Sequence, residues 1–151
     1  DDILKRLGRI HTARDVIRDV QNAREAGFDN INLDLMFAVP DSSLETTLID
    51  IEAVTSLEPE HISFYSLQLE EGTAFFKEFE QGELTEVPDE IDRATYHAGV
   101  KLLKENGYEH YEISNFAKRA MNLDTISSTG RWLLIWGLVS EHHRSSITAG
   151  L

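Results

Sequence analysis

The chain has 151 residues, of which 41% are hydrophobic and 27% charged, with a formal net charge of −13 and no cysteine. That is the length of about one domain, enough to bury a core. Its carboxylate excess disfavours nucleic acid as a partner, no apolar run reaches the ~18 residues of a transmembrane segment, and the missing thiols exclude disulfides and thiolate-held iron–sulfur clusters within this chain.

The first residue is Asp1 rather than Met, and no apolar signal region follows it, so the expectation is a piece of a longer, cytoplasmic protein. Thr12 to Ala26 reads as an amphipathic helix, with Val16, Val20 and Ala23 at helical spacing, Thr12 as its cap and Gly27 as its stop. Asn30 to Phe37 reads as a strand ending at Pro40. Ser42 or Ser43 caps a second helix, Leu44 to Leu57, with Leu44, Leu48, Ile51 and Val54 on one face. His61 to Leu67 is a second strand. Helices alternating with strands over short links argue for parallel strands with helical crossovers, an α/β fold.

Beyond Gly72 the pattern changes. Thr73 to Gln81 is a short helix carrying Phe75, Phe76 and Phe79, followed by an acidic loop. Glu90 to Asn106 is a strong helix, with Ala94, His97, Ala98, Lys101 and Leu102 periodic and Gly107 as its stop. Tyr108 to Ile113 alternates as a strand. From Lys118 onward, four Lys/Arg against two Asp/Glu give a local charge of +2 and leave −15 on the rest. Trp132 and Trp136 both fall in that last stretch.

The strand around Asp34 is the most informative segment. Ile31, Leu33, Leu35 and Phe37 make one face, and Asn30, Asn32 and Asp34 the other. A parallel strand covered on both sides should be apolar on both, and buried polar groups need partners. A polar ligand in a barrel interior would supply them; a loop cap or a structural Arg partner would do so equally well. Arg9, in Leu7 to His11, has the fork to grip a carboxylate, although a solvated surface arginine is the commoner case. His11 and His61 lack ligand spacing and read as structural, and His97 reads as helix packing. Glu70, Glu71 and Gly72 stand where a parallel barrel presents its functional loops. The phenylalanines at 75–79 suit a satellite core better than a flat ligand. No phosphate-binding glycine loop, nucleophile elbow or paired-His zinc motif occurs.

The runs KRLGRIHTARDVIRDVQNAREAGFDNINLDLMFAVP, PEHISFYSLQLEEGTAFF and GYEHYEISNFAK, in this order, cover nearly all of 1–118. Together they resemble the oxygen-independent coproporphyrinogen III oxidase-like radical S-adenosylmethionine proteins. The LGRIHT and YEISNFAK segments favour that family's heme-chaperone branch over its oxidase branch. The resemblance implies the last strands of a partly open six-stranded (β/α) barrel over 1–72 and a helical and strand extension over 73–118. It implies S-adenosylmethionine contacts from Arg9 and Asp34, with a backbone contact near Leu67 or Gln68. It also implies a 4Fe–4S cluster, with heme or a porphyrinogen as ligand and a heme-accepting protein as partner of the heme-chaperone branch, all in a full-length parent. The family's CxxxCxxC cluster loop is absent here, so the chain alone is expected to be inactive.

Two departures stand out. The family usually has Gly-Leu-Pro after the Asp34 strand, where this chain has Ala38-Val39-Pro40, so Ala38 is expected to narrow the site. After Lys118 the family's Pro-Gly and HNxxYW motif is missing. Loss of one cytosine after the Lys118 codon, with suitable synonymous codons, restores the reading KPGHESRHNLIYW. Residues 119–151 are therefore expected to be an out-of-frame, poorly ordered tail, an idea that an intact frame in the DNA would end.

Overall fold

The computed structural model describes residues 4, 5 and 7–119, together with the backbone of 132–136 and 146–148. Apart from Arg119 and those two backbone segments, the tail expected to be out of frame lies outside the described residues. The chain runs α1 (Ala13–Glu25), β1 (Asn30–Phe37), α2 (Leu44–Ser56), β2 (His61–Ser66), α3 (Ala74–Glu80), α4 (Asp89–Glu105), β3 (Tyr108–Glu112), β4 (Asn115–Lys118), β5 (Trp132–Trp136) and β6 (Ser146–Thr148). The strands form one open sheet in the order β3-β4-β2-β1-β5-β6.

The parallel pair expected from the alternation is at the centre, with Asn32 opposite His61, Asp34 opposite Ser63 and Met36 opposite Tyr65. β3 and β4 form an antiparallel hairpin that extends the sheet beyond β2. The sequence reading had only the first of these two strands. On the other flank β5 pairs with β1 in parallel, from Asn30 opposite Trp132 to Asp34 opposite Trp136.

One face of the sheet carries the core. Ile31, Leu33, Leu35 and Phe37 of β1 and Ile62 and Phe64 of β2 are buried against Val16, Val20 and Ala23 of α1, Ile51 and Val54 of α2 and Leu103 of α4. At ~25 cal/mol per Å2, each such side chain contributes about 1.5–3 kcal/mol. Phe37 stacks on Phe64 with ring centroids 4.4 Å apart.

The helix ends follow local chemistry, with one correction. Ser43 caps α2: its hydroxyl accepts from the Thr46 N–H while Thr46 reciprocates to the Ser43 N–H, a capping box. Thr73 likewise accepts from the Phe76 N–H at the start of α3. Thr12 occupies the N-cap of α1 without capping it. Its hydroxyl donates to the Asp15 carboxylate, a stronger acceptor one turn on.

Several faces differ from the periodicity. Leu44 is exposed, while Thr47 and Asp50 are buried on α2. In α4 the buried residues are Thr95, Gly99 and Leu103; of the periodic set, Ala94, His97 and Lys101 are exposed, Ala98 is partly buried, and Leu102 packs partly buried against the core. His97 is therefore not a packing residue. Gly99 decides the rotation, because without a side chain it lets Phe64 and Ile51 close on the helix axis. No residue of α3 is buried, so Phe75, Phe76 and Phe79 form no satellite core. Ala38 adopts φ 53°, the left-handed region. Its departure from glycine is a backbone conformation that a Cβ disfavours by ~1–2 kcal/mol.

Candidate functional site

The face of the central strands opposite the core is polar. Because β1 and β2 are parallel and in register, their even-numbered and odd-numbered residues respectively meet there: Asn32 and Asp34 beside His61, Ser63 and Tyr65. The main apolar cluster lies on the other face, and on this side Met36 packs with Leu4, Val39 and Leu67. Asp34 is only 7% exposed. Burial raises its carboxyl above the usual 3.8, while hydrogen bonds from the Asn32 and Ser63 side chains pull it back down. Asn32 Nδ2 donates to Asp34 Oδ1 over 2.8 Å.

The same amide's oxygen, Asn32 Oδ1, lies 2.5 Å from His61 Nδ1. On the far side of that ring, His61 Nε2 lies 2.6 Å from the Tyr111 hydroxyl. His61 is wholly buried, and that burial pushes its pKa down to about 4, against a small opposing pull from Glu112. At neutral pH the ring is uncharged. Tyr65 is also pushed up, to about 12, by burial first, then by the Asp34 charge, with Arg9 acting the other way.

The four residues singled out from the sequence are placed differently. Asp34 stands at the centre of the polar face. Arg9 is exposed in the segment before α1, where its charge reaches both Tyr65 and His11. His11 is held below its usual pKa by burial and then by Arg9. Leu67 continues β2: its N–H donates to the Phe37 carbonyl over 2.9 Å, and its side chain packs on Leu4 and Val39. Gln68 donates to Ser66 Oγ. It lines a cavity of about 640 Å3 on the helix-covered side, floored by Phe37, Phe64 and Tyr96. The structure thus gathers Asp34 and, at longer range, Arg9 around Tyr65, and keeps the Gln68 side chain on the other side of the sheet.

The sequence reading missed Tyr111 and gave His61 no link to Asp34. Register alone sets Asn32 opposite His61, and Tyr111 sits at a register shift between His110 and Glu112. Neither signal is local to the residues concerned. Among the described residues, no group of three or more His, Asp or Glu side chains is arranged to hold a metal ion. Together with the lack of cysteine, this means a 4Fe–4S cluster does not fit the residues present. A polar organic ligand does fit: Asp34 is a buried carboxylate whose hydrogen bonds from Asn32 and Ser63 leave further acceptor capacity.

Comparison with known proteins gives consistent results. No protein-family model matches the chain. It is 40% identical over 121 residues to the protein named heme chaperone HemW of Bacillus subtilis, covering 80% of this chain and 32% of that protein. It is 39% identical over 115 residues to the heme chaperone HemW of Lactococcus lactis, covering 76% of this chain and 30% of that one. It is 34% identical over 131 residues to the mitochondrial radical S-adenosyl methionine domain-containing protein 1 of Danio rerio, covering 87% and 29%. The chain therefore spans about a third of the length of the curated relatives it matches. Among solved structures, the Escherichia coli coproporphyrinogen III oxidase HemN, described as a radical SAM enzyme, superposes with a TM-score of 0.68 at 16% identity, over 97% of this chain and 36% of that one. That likeness establishes the fold, an α/β unit matching part of a radical SAM protein. The chain is a homologue of the HemW heme chaperones and of the radical S-adenosyl methionine domain-containing proteins, and belongs with them to one family.

Proposed function

We propose that this chain supplies part of an S-adenosylmethionine-binding surface in a heme-chaperone-type protein, with Asp34 and Arg9 as its polar contacts. The observation that carries the reading is the buried Asp34 carboxylate on an otherwise polar sheet face. The ligand offers a carboxylate to the Arg9 guanidinium and an ammonium and hydroxyls to Asp34. Main-chain groups near Leu67 and Gln68 stand at the end of β2 for a further contact. When bound to a cluster, S-adenosylmethionine supplies radical chemistry; this chain has no cysteine to hold that cluster, and by itself it is inactive in such chemistry.

The names of the relatives favour heme as the cargo of the whole protein and a heme-accepting protein as its partner. Oxidation of coproporphyrinogen is the alternative. Its support is the likeness to the Escherichia coli enzyme, which at 16% identity speaks to fold. We place the protein in the cytoplasm. No helix among the described residues is long and apolar enough to cross a membrane.

Calorimetric titration of the chain with S-adenosylmethionine tests the site. Asp34→Ala is expected to weaken binding by about tenfold, the ~1.4 kcal/mol scale of one charge-assisted hydrogen bond. Unchanged affinity would remove Asp34 from the site. Titration with heme, followed by absorbance, tests the cargo.

A further inference from the structure

The polar face holds a chain of hydrogen bonds whose direction is fixed from one end. A carboxylate can only accept, so the group Asn32 turns toward Asp34 must be its NH2, and the contact is 2.8 Å. Its carbonyl oxygen then faces His61 Nδ1 at 2.5 Å and must accept from it. A neutral imidazole that carries its proton on Nδ1 has a bare Nε2. That nitrogen accepts from the Tyr111 hydroxyl at 2.6 Å. Every dipole in the series, from Tyr111 to Asp34, points its positive end toward the carboxylate. Reversing the Asn32 amide would set two acceptors against each other at Asp34.

The fold builds this series from three strands. Asn32 and His61 are register partners on β1 and β2. Tyr111 belongs to β3, two strands from His61, and reaches it across β4, where the residue opposite His61 is Ala117. A larger residue at 117 would stand in the way. Tyr111 also lies within the bulge, between the register pairs of His110 with Phe116 and Glu112 with Asn115, and bulges re-aim side chains in this way. His61 is wholly buried whereas Tyr111 is 40% exposed, so the series runs from solvent to Asp34.

We propose that Tyr111, His61 and Asn32 are positioning residues that fix the orientation of Asp34 and hold it as a hydrogen-bond acceptor for a cationic or hydroxylic ligand group. The inference deepens the cofactor reading of Asp34 and rests on it for the ligand's identity. The relay itself is a property of the unliganded chain. Among the described residues, Glu112 acts on His61, and Arg9 acts on Tyr65 beside Asp34.

Nitrogen-15 NMR of the histidine rings in the whole chain at neutral pH tests the direction. His61 is expected as the Nδ1–H tautomer, the minor form of free imidazole. Tyr111→Phe deletes one oxygen at a partly exposed position and leaves the packing in place. In that variant the His61 ring is expected to keep the Nδ1–H form, because Asn32 and Asp34 still set it, while Nε2 loses the hydroxyl that donated to it. The Asp34 carboxyl, followed by carbon-13 NMR, is expected to titrate at higher pH, and S-adenosylmethionine affinity is expected to fall about threefold to tenfold. An Nε2–H or doubly protonated His61 in the unmodified chain would overturn the relay, as would an Asp34 titration unmoved by Tyr111→Phe. If the tautomer and the Asp34 response are as stated but S-adenosylmethionine does not bind, the relay stands and the cofactor reading fails.

Discussion

Gly99 of α4 lies so close to Phe64 of β2 that a Cβ on it would fall 2.5 Å from Phe64 Cε1 and 3.1 Å from Ile51 Cδ1. The Phe64 ring is itself fully buried and stacked on Phe37, so it has nowhere to retreat. Gly99→Ala is therefore expected to destabilise the chain by about 1–3 kcal/mol through overpacking, although alanine is the better helix former by roughly 1 kcal/mol. Urea denaturation of the two proteins measures the difference; a stabilised variant would show that α4 moves away freely.

Ala38 presents the opposite case. Its φ of 53° follows directly on β1 and leads into the Val39–Pro40 turn. Ala38→Gly is expected to stabilise the fold by roughly 0.5–1 kcal/mol, the relief of the left-handed penalty less the entropy that glycine adds to the unfolded chain. An unchanged or lowered denaturation midpoint would refute the strain.

His61 makes stability depend on pH. Its pKa in the folded chain is held down to about 4 against the usual 6.5. The unfolded chain therefore takes up that proton first as the pH falls. The contribution is full above pH 6.5 and is lost as the pH falls toward 4, with an upper bound on the order of 3 kcal/mol. Other groups titrate in the same window, so the comparison is between the chain and His61→Gln. The difference in their stability should shrink from pH 7 to pH 4; a difference constant across that range would contradict it.

Arg24 joins the end of α1 to the starts of both central strands. Its guanidinium donates to the Phe28 and Glu58 carbonyls and to both Glu60 carboxylate oxygens, at 2.8 to 3.1 Å. Glu60 also accepts from the Ile31 N–H. Arg24→Met keeps the apolar stem and is expected to cost about 1–2 kcal/mol, because a half-buried carboxylate loses its partner. Thermal denaturation with Glu60→Gln and the double variant, as a cycle, measures the coupling; additive effects would show that the pair contributes nothing.

The β1 strand was legible to the residue, because Ile31, Leu33, Leu35 and Phe37 alternate with Asn30, Asn32 and Asp34 and only a two-sided strand explains that pattern. The second helix start was legible too, since a serine three residues before a hydroxyl-bearing residue carries its own cap. The family was legible from three segments in order. The inward face of α4 was not. Helical periodicity left several apolar stripes open, and the choice fell to Gly99, the residue that adds least to any hydrophobic pattern.

The candidate site divides in the same way. The sequence by itself determined that Asp34 sits on the polar side of a strand, because that depends on alternation along one segment. That His61 faces Asn32, that Tyr111 reaches His61 over Ala117, and that β5 occupies the second edge of β1 were decided only by tertiary structure. Strand order and register are relations between segments far apart in the chain. A one-residue slip would have turned His61 into the core and left the Asn32 carbonyl oxygen without its donor.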